Sequence, residues 1–204
     1  MQALVRTLTW LMLFSLLPAP AWAAPGPPTE VVKGVVQGVL DILNNPAYQG
    51  QKSHRRELVR QAIDARFDYR EMAKRCLGAT WRSLNGAQQN EFVQLFAKLL
   101  EASYYDKIEK YTRNIRVEYT GEIVDDGYAE VKSVIVRPND RIPFNFRLLQ
   151  ESGGWKVYDV VIEGVSLMSN YRSQFTRVIH ESSYGELVRR LRNRVTELQR
   201  TGGA

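Results

Sequence analysis

Apolar residues recur at helical spacing from Glu30 onward. Val31, Val35, Val39 and Ile42 share one face, with Val32, Val36, Leu40 and Leu43 beside them. Asn44-Asn45-Pro46 ends this helix, because the residue before a proline disfavours helical backbone. Ser53 is placed to cap a second helix running to about Ala65, with Leu58, Ala62 and Ile63 inward. A third, short helix follows Phe67-Asp68-Tyr69, with Asp68 its candidate cap, and stops near Gly78. Asn85 with Gln88 three residues on forms a capping box for the longest helix, which runs to about Tyr111. Its inner face reads Phe92, Leu95, Phe96, Leu99, Leu100, Tyr104 and Ile108.

The period then changes from helical to alternating. Ile115, Val117 and Tyr119 alternate with Arg116, Glu118 and Thr120, as on a strand with one buried face. Asp125-Asp126-Gly127 predicts a hairpin, its glycine supplying positive φ. Residues 128–137 form a second strand. Pro138-Asn139-Asp140 turns again, and Ile142, Phe144, Phe146 and Leu148 line one side of a third. Ser152-Gly153-Gly154 leads into a fourth, Trp155 to Ile162. Connections this short make neighbours antiparallel, so the strands form a four-stranded meander. Helices close the chain, one over Leu167 to Glu181 and one from Ser183, where Glu186 supplies a further capping box. The predicted class is α+β: N-terminal and C-terminal helices packed on a curved four-stranded antiparallel sheet, with no internal repeat and no domain boundary.

The first residues bear on compartment. Arg6 is the only charge in the first 23 residues, an apolar run spans Leu8 to Leu17, and Ala21-Trp22-Ala23 is an A-x-A cleavage signature. These are the marks of a secretory signal peptide over residues 1–23, cut after Ala23. The run is about half the roughly 20 residues that cross a bilayer. The expected product, residues 24–204, is a single exported soluble domain of 181 residues, long enough for a sizeable core. The lone cysteine, Cys76, cannot form an internal disulfide and sits in an apolar stretch, so it reads as a buried, inert thiol. Formal charge is +6, and +5 without Arg6, with acids dispersed among the bases. That distribution argues against nucleic acid and favours at most mild attraction to anionic surfaces, to which the last helix adds Arg189, Arg190, Arg192 and Arg194 opposite its apolar stripe.

Catalytic chemistry finds little support. His54 lies among Ser53, Arg55, Arg56 and Glu57 on a predicted solvated face, and His180 near a helix C-terminus, where a cation suits the dipole. No H-E-x-x-H, paired C-x-x-C, phosphate loop or dinucleotide fingerprint occurs. No cofactor, metal site or reaction is therefore expected.

Several short strings carry more information in combination. They are Phe67-Asp68-Tyr69 with Met72-Ala73, Leu77-Gly78, Trp81-Arg82, Trp155-Lys156-Val157-Tyr158-Asp159-Val160, Ile162-Glu163-Gly164-Val165-Ser166-Leu167, and Asn170-Tyr171-Arg172 with Phe175. In this order behind a signal peptide they resemble the MlaC family of periplasmic phospholipid-binding proteins. The resemblance implies a carrier that holds acyl chains as cargo. It also implies transfer of lipid between an outer-membrane lipoprotein complex and an inner-membrane ABC-transporter complex, which helps to keep the outer membrane asymmetric. Such a carrier needs large apolar side chains around a void near the top of the roughly 300 to 1,000 Å³ range of ligand pockets. The candidates are Phe92, Phe96, Leu99, Leu100, Tyr104 and Ile108 on the long helix and Val134, Val136, Phe144, Phe146 and Leu148 on the sheet. Val165, Leu167, Tyr171 and Phe175 follow them, and Arg172 is the candidate head-group contact. An enzyme acting on an apolar molecule would need a carboxylate or histidine inside the pocket. A ligand-free interaction module would have a filled core.

Overall fold

The computed structural model describes residues 26–111 and 115–202, so the signal-peptide reading lies outside the described residues. Helix α1 covers Pro28–Asn44; after a 3-10 turn at Pro46–Tyr48 come α2 (Lys52–Asp64), α3 (Tyr69–Leu77), α4 (Ala79–Ser83) and the long α5 (Gly86–Tyr111). Strands β1 (Arg116–Asp125), β2 (Tyr128–Arg137), β3 (Asp140–Glu151) and β4 (Gly154–Ile162) follow, and a two-residue β5 (Val165–Ser166) leads into α6 (Leu167–Glu181) and α7 (Tyr184–Gly202). The sheet is antiparallel in the order β1-β2-β3-β4-β5. It has five strands where four were expected, because the Glu163-Gly164 turn folds Val165–Ser166 back onto the end of β4.

Local chemistry accounts for the helix ends. The Asn85 box closes in both directions: Gln88 N donates to Asn85 Oδ1 at 2.9 Å, and Asn85 N donates to Gln88 Oε1 at 3.0 Å. The box at α7 is half made. Glu186 N donates to Ser183 Oγ at 3.1 Å, but the Glu186 carboxylate turns to Arg189 and Arg190. Asp68 caps α3 by accepting from Arg70 N and Glu71 N. The second helix starts at Lys52, before the expected Ser53 cap, and its buried residues are Arg55 and Val59 in place of Leu58. Helix α4, which the sequence did not predict, fits between Gly78 and Leu84 and buries Trp81.

The interior divides into three apolar clusters. The largest joins α3, α4, α5, α6 and α7 around Phe92, Phe96 and Phe175. A second sets Val32 of α1 against Val131, Phe146, Leu148 and Val157 on the inner face of the sheet. A third ties α1, α2 and α5 through Val39, Leu43, Val59 and Tyr105. Phe67 and Leu167 pack against both of the first two clusters, and the volume left between the three is the site described next.

Candidate functional site

A cavity of about 520 Å³ lies between the inner face of the sheet and a wall made by α1, α2 and the C-terminal half of α5. Helix α1 contributes Val35, Val36, Val39 and Leu40; α2 contributes Val59 and Ile63; α5 contributes Leu100, Tyr104, Tyr105 and Ile108. From the sheet come Val117, Ile135, Ile142, Phe144, Phe146 and Ile162. Phe67, Tyr69, Met72, Val160 and Leu167 line the rest with Ile115. Five charged residues reach the lining: Arg60, Glu101, Lys107, Arg137 and Glu163. Arg60 and Glu101 belong to the α2 and α5 walls. Lys107 lies near the end of α5, Arg137 at the end of β2 and Glu163 just beyond β4, so this end of the sheet forms a charged mouth.

Polar ties reinforce the α2 wall beside its apolar cluster. Arg55 donates to the Glu109 carboxylate and, at 3.3 Å, to the Tyr48 carbonyl, while Arg56 donates to Glu101 at 2.8 Å and lies 4.6 Å from the centre of the Tyr105 ring. Arg55 is only 8% exposed, so its charge depends on that carboxylate. Tyr69, inside the chamber, donates its hydroxyl to Asp64 at 2.8 Å; burial, then the Asp64 charge, pushes its phenol well above the usual range. Around Phe67 the backbone fastens to the exposed edge of β4: Val157 N donates to Arg66 O at 2.8 Å and Asp68 N to Val157 O at 2.9 Å. One short string thus supplies a chamber residue, a strand-edge clasp and a helix cap.

Six of the sequence candidates, Leu100, Tyr104, Ile108, Phe144, Phe146 and Leu167, line the chamber. The others do not. Phe92, Phe96, Leu99, Tyr171 and Phe175 belong to the filled helical core, where Phe96 meets Tyr171 edge to face at 5.3 Å. Val134 and Val136 alternate with the inward Ile135 and therefore face the other side of the sheet. Leu148 is fully buried in the sheet cluster, and Val165 is 59% exposed. Arg172 is away from the chamber: its guanidinium lies so close over Gly78 that a Cβ there would sit 3.3 Å from Nη2, and the φ of +56° at Gly78 also favours glycine. Leu77-Gly78 and Arg172 are thus one structural joint. The cavity is also smaller than the expected near-maximal pocket.

The remaining sequence candidates are peripheral. His54 and His180 are exposed, and Cys76 is fully buried beside Met168, its thiol pushed up by burial. On α7 the arginines are locally neutralised: Arg189 and Arg190 bond to Glu186, Arg192 to Glu91 and Arg194 to Glu197. Among the described residues no group of three or more His, Cys, Asp or Glu side chains could hold a metal, and no helix is long and apolar enough to cross a membrane. Asp159, 2% exposed, accepts from Ser166 Oγ at 2.6 Å and Met168 N at 3.1 Å, pinning the turn that delivers Leu167 to the chamber.

Helices packed on an antiparallel sheet enclose an apolar chamber with charge at its mouth, a shape suited to an amphiphile. Residues 33–193 match the family described as "MlaC protein", and the chain belongs to the MlaC family. The chain is similar to the intermembrane phospholipid transport system binding protein MlaC of Haemophilus influenzae. The two are 22% identical over 159 residues, covering 76% of this chain and 74% of that protein. Among solved structures it is similar to the phospholipid-binding protein from Ralstonia solanacearum in complex with a phospholipid, with a TM-score of 0.75 and 30% identity over 83% of this chain and 97% of that one.

Proposed function

We propose that this protein is a phospholipid-binding transport protein without enzymatic activity, which takes acyl chains into the chamber and keeps the head group at the mouth. The observation that carries this reading is an unfilled volume of about 520 Å³ walled by apolar side chains. An apolar cavity of about 150 Å³ accepts one benzene, roughly 25 Å³ per carbon, so this chamber accommodates on the order of 20 carbons. That exceeds one chain of about 16 carbons and falls short of two. A second chain would require the α2 wall to yield, or would leave through the mouth.

Energetics favour hydrocarbon as the guest. At roughly 0.8 kcal/mol per methylene, sheltering one such chain is worth on the order of 12 kcal/mol. Exposed ion pairs at a head group contribute about 0 to 1 kcal/mol. Retention is therefore set by the chamber, and charge at the mouth adjusts it. Kinship with the family supports a place in the periplasm after signal cleavage. It also supports transfer of lipid between an outer-membrane lipoprotein complex and an inner-membrane ABC-transporter complex in maintaining outer-membrane asymmetry. The protein is taken to act as a monomer.

Native mass spectrometry of the full chain expressed with its leader and purified without detergent tests the reading. The expected spectrum is the mass of residues 24–204 plus phospholipid. A bare polypeptide mass, with no uptake from added vesicles, would contradict it.

A further inference from the structure

We propose that Lys107 and Glu163 read the head group of the bound lipid, and that together they favour a head group in which a phosphate is followed by an ammonium. This rests on the lipid-binding reading above and extends it to selectivity. The charges lining the chamber differ in what they already do. Arg60 bonds to Glu57 and to Asp64, Glu101 accepts from Arg56, and Arg137 has an interaction of its own. Among the described residues, Glu163 has no side-chain hydrogen bond or ion pair, and the Lys107 ammonium has only the Tyr104 ring, 5.1 Å from its centre. Both are exposed and both line the chamber. Among the described residues, a cation and an anion with no carboxylate or ammonium partner thus border one apolar cavity.

The backbone of Glu163 adds an independent sign. Glu163 and Gly164 have φ of +51° and +81° in the two-residue turn between β4 and β5. The β1–β2 hairpin turns the same way, with Asp126 at +41° and Gly127 at +75°. This turn favours asparagine, aspartate or glycine at its first central position. Asp126 conforms and Glu163 does not, since its longer side chain does not stabilise left-handed backbone by a short local bond. The turn is nevertheless fixed, with Glu163 N donating to Pro143 O at 2.9 Å. A residue unsuited to its backbone, pinned there and bordering the cavity, points to a role for its carboxylate.

The chemistry of the head group assigns the parts. Phosphate lies next to the chains and suits Lys107, which borders the cavity on α5. A terminal ammonium suits Glu163. A head group ending in hydroxyls keeps the contact with Lys107 but brings its net negative charge towards Glu163. Discrimination is the difference between these cases and falls mainly on Glu163. Both groups are solvated, so the preference is about two- to fivefold.

The full chain is equilibrated with vesicles of equimolar phosphatidylethanolamine and phosphatidylglycerol, re-isolated, and its lipids quantified by mass spectrometry. The protein should retain phosphatidylethanolamine over phosphatidylglycerol about two- to fivefold. Glu163→Gln and Glu163→Asn should bring the ratio to about one with total lipid unchanged. The asparagine variant should also melt higher, separating the role of the carboxylate from that of the turn. Lys107→Met should lower both lipids alike. A ratio near one in the unaltered protein, or an unaltered ratio in both Glu163 variants, overturns head-group reading while leaving lipid binding intact. Failure of the unaltered protein to take up either lipid overturns lipid binding itself.

Discussion

Helix α5 passes through two different interiors. In its first half, Phe92 and Phe96 stack at 6.0 Å and meet Phe175 edge to face at 5.9 and 5.8 Å, with α6 and α7 closing over them. In its second half, Leu100, Tyr104 and Ile108 continue the stripe but face a void of about 520 Å³. Their spacing does not distinguish the two halves. The opposing elements do: α6 and α7 bring rings into contact, whereas the sheet and the α1–α2 wall stand away. An apolar stripe therefore reports that something greasy lies opposite, and not whether it is protein.

The comparison is broken most severely in the filled half. Phe96→Ala should cost about 3–5 kcal/mol in denaturant unfolding, because ring contacts close around it, with lipid per folded molecule unchanged. A cost under about 1 kcal/mol would mean that this half too is loosely packed. On the chamber wall, Glu109→Gln leaves the buried Arg55 without its carboxylate. It should cost about 1–3 kcal/mol and, by loosening the α2 wall, quicken lipid exchange between protein and vesicles. In the chamber, Ile135→Trp should change stability by less than about 1 kcal/mol, since space awaits the ring, yet remove most bound lipid. If it destabilised the fold with lipid retained, the chamber would be elsewhere.

The smallest effect concerns acid. Hydrogen bonds from Arg189 and then Arg190 hold the Glu186 carboxyl down at about 2, against an ordinary 4.5. A carboxylate depressed in the folded state stabilises fully above the unfolded value, and that contribution fades as pH falls through the folded one. The stability difference between the protein and Glu186→Gln should accordingly shrink between pH 4.5 and 2. Lipid retention should not follow it, because α7 packs on the filled half.

Much of the fold was legible because punctuation and period agreed. The Asn85 box, the Asp126-Gly127 hairpin and the alternation of β3 each follow from local chemistry that tertiary contacts reinforce. The lining was less legible. On β2 the inward series runs Val131, Ser133, Ile135; Ser133 is polar, and the candidates Val134 and Val136 lie out of step with it. The structure resolves the conflict by having the buried Ser133 hydroxyl donate to the Phe144 carbonyl. Helix α1 supplied no lining candidate from the sequence, although its wide stripe of Val35, Val36, Val39 and Leu40 serves core on one side and chamber on the other. Nothing in periodicity marks that division, because it depends on how far the sheet curves away.

A crystal structure of the protein purified from cells, without added detergent, bears most directly on the chamber. Continuous density should run between Tyr104 and Ile135 towards Phe146, ending near Lys107 and Glu163, with none among Phe92, Phe96 and Phe175. A closed interior, in which α1 and α2 meet the sheet and no guest is present, would contradict lipid carriage.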